Sequence, residues 1–139
     1  MKKGGFTLIE LLVVIALIGI LMAISLAALS QSKKSARDTK RKSDLEQIRS
    51  ALEIYRTDCR TYPADLDFGG TLVGLQSVCD ETYLTRVPDD PTSPTFNYYY
   101  IGGINTYTLC AHLETGDAVA PGGCGNNCNG ECNYAVFSP

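Results

Sequence analysis

Between Leu11 and Ser32 there is no charged residue, between Phe6 and Asp58 there is no proline, and after Thr61 there is a single base, Arg86. Each absence excludes something. The 22 uncharged positions, dominated by Leu, Ile, Val and Ala, are withdrawn from any soluble core. At about 1.5 Å per residue they reach roughly 33 Å, enough to cross a hydrocarbon layer of about 30 Å. The proline-free stretch carries no built-in break. One histidine, His112, and no nucleophile–base arrangement or nucleotide-binding loop leave no catalytic machinery, so the chain is read as a non-enzyme. His112 lies in a predicted strand and is read as structural. The basic cluster Lys33–Lys42 has no interleaved aromatics, which removes the usual stacking platform for nucleic acid.

What is present is sharply asymmetric. Nine bases and five acids lie between Lys33 and Arg60, and nine acids face Arg86 alone from Thr61 onward. A basic stem under an acidic head favours head-to-stem contact between identical subunits. The plainer reading is a solvated helix face beside anionic lipid headgroups.

Phe6 to about Asp58 reads as one long helix. Its first half is apolar all round, with Gly19 and Ser25 as its softest points. Its second half carries Leu45, Ile48, Leu52 and Tyr55 at i, i+3, i+7 and i+10, one apolar stripe at helical spacing. Tyr62-Pro63 ends it. Asp65–Asp90 reads as a connecting loop, with a short helix near Leu72–Val78. Pro88, Pro91 and Pro94 bound an irregular segment. Thr95–Ile101 and Thr106–Leu113 read as strands joined by a hairpin turn at Gly102-Gly103-Ile104-Asn105. Residues 116–133 are Gly-, Asn- and Cys-rich and read as loop, and Tyr134–Phe137 adds a last short strand. The layout is α+β: a long N-terminal helix packed on a small antiparallel sheet.

Three features coincide near the N-terminus. Lys2 and Lys3 keep that end cytoplasmic, which places the C-terminal head across the membrane. Gly4-Gly5 offers a protease a side-chain-free backbone. Glu10 opens an otherwise uncharged span, where an ionisable group costs about 2.5–3.5 kcal/mol at the membrane centre. Such a residue wants a partner, and cleavage before Phe6 would create one, a new α-amino group. An ordinary signal peptide, with Ser25-Leu26-Ala27 as its cleavage site, would have a shorter apolar region and no Glu10. A plain monomeric anchor would not need Glu10 either.

Lys2-Lys3-Gly4-Gly5-Phe6-Thr7-Leu8-Ile9-Glu10, opening the run Leu11-Leu12-Val13-Val14-Ile15, resembles the class III signal of type IV pilins and type II secretion pseudopilins. The resemblance is close over the first 60 residues and continues in outline through Ala51–Tyr55, Tyr62-Pro63, Tyr83-Leu84, Pro88-Asp89-Asp90-Pro91, Tyr98-Tyr99-Tyr100 and Tyr107-Thr108-Leu109. It implies the pilin fold, cleavage by prepilin peptidase between Gly5 and Phe6, and N-methylation of Phe6. It also implies pairing of Glu10 with a neighbour's N-terminus in a homopolymer built by an inner-membrane assembly platform. Two departures stand out: Thr92-Ser93 replaces the Trp-Gly that often follows Asp-Pro in major pseudopilins, and no proline lies near Ala27 or Ala28. Major pseudopilins also bind calcium in their C-terminal loop. In this chain Asp117, Glu131 and several Asn supply oxygens but no clear ligand loop, so no cofactor is expected, and calcium in the C-terminal loop is the lesser alternative.

Cys59, Cys79, Cys110, Cys124, Cys128 and Cys132 all follow the span and imply disulfides in an oxidising compartment. The pairing preferred on chain order is Cys59–Cys79, Cys110–Cys132 and Cys124–Cys128. A metal site at Cys124-x3-Cys128-x3-Cys132 matches neither zinc nor ferredoxin spacing. The domains expected are a leader (1–5), a transmembrane or filament-core helix (6–32), an amphipathic stem (33–60) and a disulfide-stapled head (61–139). The function expected is a type IV pilus subunit, with a type II secretion pseudopilin as the alternative. A membrane-tethered binding module is the alternative of another class. The chain would start as a single-pass precursor in the cytoplasmic membrane and end in an extracellular pilus or a periplasmic pseudopilus.

Overall fold

The computed structural model describes residues 5–75, 79–116 and 123–139, with the backbone alone at residues 26 and 27. Among the described residues one helix, α1 (Leu8–Cys59), is followed by five short strands: β1 (Leu72–Val73), β2 (Thr82–Leu84), β3 (Tyr99–Gly102), β4 (Tyr107–Ala111) and β5 (Tyr134–Phe137). The architecture is α+β and pilin-like. The chain divides into two compact units, one up to Ser35 and one from Ala36 to Pro139.

The first unit is helix from Leu8 onward. Every described large apolar side chain from Phe6 to Leu29 is between 45% and 88% exposed. The helix is long and apolar enough to cross a membrane, judged by length and composition. The Ser25 hydroxyl donates to the Leu21 carbonyl at 2.9 Å, so its polarity is satisfied locally.

The second unit begins with the rest of α1. Leu45, Ile48, Leu52 and Tyr55, the stripe read from spacing, are all buried against Tyr100, Tyr107, Leu109 and Val136. Each such side chain contributes about 1.5–3 kcal/mol of burial. The helix stops where Arg60 turns into the left-handed region (φ 65°) while its N–H still bonds the Arg56 carbonyl at 2.9 Å. β3, β4 and β5 form an antiparallel sheet in that spatial order. Tyr100, Leu109 and Val136 share one register row and face the helix, while the next row, Ile101, Thr108 and Phe137, faces outward. Gly102 is required by close approach, since a Cβ there would lie 2.4 Å from the Pro63 carbonyl oxygen.

Three expectations are corrected. The stretch read as loop between Asp65 and Asp90 contains a two-stranded antiparallel ribbon, β1 with β2. The short helix expected at Leu72–Val78 is instead the strand Leu72–Val73, and residues 76–78 lie outside the described ones. The reason is local: the Gly74 N–H bonds the Glu81 carbonyl at 2.9 Å, and a Cβ on Gly74 would lie 2.3 Å from the Cys79 carbonyl oxygen, so the chain folds back on itself there.

The third concerns the cysteines. The bridges are Cys59–Cys79, Cys110–Cys124 and Cys128–Cys132, in place of the expected Cys110–Cys132 and Cys124–Cys128. Cys110, Cys124, Cys128 and Cys132 form a second, fully buried cluster under Tyr99 and Ala135. Within that cluster each cysteine is bonded to its neighbour in chain order, and the turn between Cys128 and Cys132 brings the last two together. It is closed by an Asn127–Gly130 bridge and a left-handed Asn129 (φ 55°).

Candidate functional site

At the N-terminus, Gly5 and Phe6 precede α1, and the Phe6 side chain is exposed. Thr7 is the residue before the helix. Its N–H and hydroxyl both donate to Glu10 Oε2, at 2.9 and 2.7 Å, and the Glu10 N–H donates back to the Thr7 hydroxyl at 3.4 Å. This reciprocal pair is a capping box that satisfies two otherwise orphaned donors. It holds the carboxylate at the start of the helix, beside the residue that cleavage after Gly5 would make the N-terminus.

In the second unit the chemistry converges on Arg41, one of the nine bases between Lys33 and Arg60. Arg41 is fully buried. Its Nε donates to Asp90 at 2.7 Å. One terminal nitrogen donates to Asp38 at 2.8 Å and Glu114 at 2.9 Å, and the other to Asp90 at 3.1 Å and Thr92 at 3.0 Å. Those bonds occupy all five guanidinium donors. The acceptors are themselves held. Asp38 also receives the backbone N–H groups of Glu114 and Thr115 and the Thr115 hydroxyl, and Glu114 takes a bidentate pair from Arg37 at 2.6 and 2.5 Å. Asp44, one turn further on, is buried, pairs with Lys40 and accepts from the Tyr98 hydroxyl at 2.9 Å. Among the described residues no buried side-chain nitrogen or oxygen is left without a partner.

The titration of these groups follows from their contacts. Burial opposes the charge of Arg41, but its bonds to Asp90, Glu114 and Asp38 outweigh that and raise it above the ordinary guanidinium value. The hydrogen bonds from Arg37 bring Glu114 down to about 2, against the pull of burial, with Arg41 adding to the fall. Burial pushes Asp38 up, and the Thr115 hydroxyl, two backbone N–H groups and Arg41 together leave it below the usual carboxylate value. Burial, reinforced by Asp44, raises the Tyr98 phenol.

Around this cluster, the Phe96 ring lies 5.7 Å from the Arg41 guanidinium carbon and stacks on His112 with ring centroids 4.1 Å apart. His112 follows β4 rather than lying in it, and its Nδ1 donates to the Glu131 carbonyl at 2.7 Å. Of the oxygens considered for calcium, Asp117 lies outside the described residues and the Glu131 side chain is exposed. No group of three or more His, Cys, Asp or Glu suited to a metal ion occurs among the described residues. An open groove of about 560 Å³ runs beside the cluster, lined by Lys40, Asp44, Gln47, Arg86, Asp89 and Ser93. Its charges are of both signs and it brings together no nucleophile and base. The arrangement as a whole clamps α1 to the 88–97 and 112–116 segments.

The sequence carried a usable signal for this clamp. Asp38 and Arg41 precede Leu45, Ile48, Leu52 and Tyr55 at spacings of three and four, so they continue the buried stripe in phase. Two of the nine stem bases are therefore engaged within the chain, Arg41 buried and Arg37 paired with Glu114.

Comparison with known proteins adds two family matches. Residues 1–26 match the prokaryotic N-terminal methylation motif, and residues 28–129 match the type II secretion system protein G family. The type II secretion system core protein G of Escherichia coli is 33% identical over 129 residues, covering 84% of this chain and 85% of that protein. The protein of the same name from Vibrio cholerae is 28% identical, covering 83% and 85%, and that from Pseudomonas aeruginosa is 28% identical, covering 78% and 81%. No solved structure matches the chain at a significant level. Of the two related readings taken from sequence, these matches favour the secretion pseudopilin over the type IV pilus subunit.

Proposed function

The chain belongs to the type II secretion system protein G family, and on that premise we propose that it is a structural pseudopilin. Residues 6–32 anchor the precursor in the cytoplasmic membrane with the head outside. Prepilin peptidase cleaves after Gly5 and methylates Phe6. The subunits then polymerise through their N-terminal helices into a periplasmic pseudopilus, on an inner-membrane assembly platform. The match over residues 28–129 carries the reading. It is supported by an apolar stretch of α1, long enough to cross a membrane, whose described large apolar side chains are all exposed. Outside lipid, such a surface is stable only among other apolar helices, so polymerisation follows from burial.

Glu10 is the assembly residue on this reading, paired in the fibre with the Phe6 amine of a neighbour. The test is the mass and fate of the intact protein. Wild type recovered from membranes or sheared fibres should start at a methylated Phe6. Glu10→Ala should insert and be cleaved but form no fibres. A mature protein starting at Met1, or fibres unchanged in Glu10→Ala, would sink the proposal.

A further inference from the structure

The three bridges join cysteines that are neighbours in chain order, first to second, third to fourth and fifth to sixth, across separations of 20, 14 and 4 residues. Among the fifteen possible pairings this is the one in which no bridge crosses or encloses another. It is also the result expected when an oxidant meets cysteines one at a time as a chain emerges. Two of the pairs lie at local structure: a fold-back at Gly74 beside Cys79, and the turn around Asn129 for Cys128 and Cys132. The sulfurs are then sealed in. Cys110, Cys124, Cys128 and Cys132 have no exposed surface, and Cys59 and Cys79 have very little. Thiol–disulfide exchange needs a thiolate to reach a sulfur atom, so these bonds form before or while the head closes and are protected from reshuffling afterwards.

We propose that a dithiol oxidase of the extracytoplasmic space is a partner of this chain during folding, and that no disulfide isomerase is needed. For each bridge, one cysteine thiolate attacks the oxidase's disulfide to form a mixed disulfide, and the second cysteine displaces the oxidase's thiolate. The pair gives up two electrons and two protons, and the oxidase's disulfide becomes a dithiol. Three such turnovers complete the head, whose oxidation precedes its entry into a fibre. The inference rests on the reading that the head lies outside the cytoplasmic membrane.

The test uses the full chain in a bacterial host, in the same host lacking its extracytoplasmic dithiol oxidase, and in one lacking its disulfide isomerase. Free thiols are blocked with iodoacetamide before lysis and bridges are mapped by peptide mass, while protease shaving of spheroplasts reports the side of the head. The parent and isomerase-lacking strains should both show the 59–79, 110–124 and 128–132 bridges in full, and the oxidase-lacking strain should lose them. Scrambled or missing bridges without the isomerase, or a full set without the oxidase, overturns the proposal. Alkylated cysteines in the parent strain overturn it too. A head protected from protease would then show that the assignment of its location has failed with it, and a cleaved head that it has not.

Discussion

Arg41 shows how much one side chain can carry. Removing one member of a buried ion network leaves the others desolvated without a counter-charge, which typically costs about 3–5 kcal/mol. Arg41→Met should therefore lower the stability of the full chain in detergent micelles by about that amount, read as a fall in the urea midpoint. Arg41→Lys should also destabilise it, because an ammonium offers three donors without the planar fork that meets Asp90 twice. A lysine variant as stable as wild type would show that the charge matters and the geometry does not. Glu114 adds a pH dependence. Its folded value of about 2 lies below its ordinary 4.5, so its contribution is present in full above about 4.5 and is lost as pH falls towards 2. Asp38, also lowered, acts in the same direction. Thermal midpoints should drop through that window, and Glu114→Gln should flatten the drop; an equally steep acid limb in the variant would assign it to other groups.

At the scale of elements, the second half of α1 is divided between a face that packs and a face that does not. Leu52 is fully buried while Ile54 is 58% exposed. Leu52→Ala should cost about 2–5 kcal/mol through lost contacts and the cavity left behind, and Ile54→Ala should change stability by less than about 0.5 kcal/mol. Comparable losses at both positions in chemical unfolding would mean that Ile54 is covered in the measured state. This element was legible in advance because it follows a repeating rule: no proline, then apolar residues at helical spacing. β3 and β4 were legible as runs of aromatic and β-branched residues around a glycine-bearing turn, although β3 begins at Tyr99 and not at Thr95, and β5 was legible as a short run of the same kind. β1 and β2 were not, since two and three residues are too few to show a period, and what makes them strands is a fold-back pinned by Cys79. The Cys59–Cys79 bridge was legible, since it ties the helix end to the following loop, whereas the other two pairings were not, because Cys110, Cys124, Cys128 and Cys132 meet in one cluster that several pairings would satisfy. The N-terminal motif is the opposite case: residues 1–26 are matched by chain position alone, so it is written out in order. The Arg41 clamp was half legible. Its helical members lie in phase with the apolar stripe, whereas Asp90, Thr92 and Glu114 arrive from segments with no pattern of their own.

For the whole molecule, the two units answer to different solvents. The first, up to Ser35, exposes its apolar side chains along its length, and the second, from Ala36, keeps a core of its own. The composition of the head fits that division, because a modest apolar core is supplemented by three covalent links and one ionic hub. The hub has a thermodynamic consequence. The five donors of Arg41 are met by groups from residue 38, residues 90–92 and residue 114, which are far apart along the chain. With any one of these absent, the same guanidinium sits in a dry interior with an unanswered charge, so partly assembled heads are penalised more than either end state. The head should therefore melt in a single step, with tyrosine fluorescence and far-ultraviolet circular dichroism giving the same midpoint; separate midpoints would mean that the segments come away one by one. A buried arginine that is satisfied only by the complete set of partners makes the fold all-or-none, so that a head is either finished or fully open.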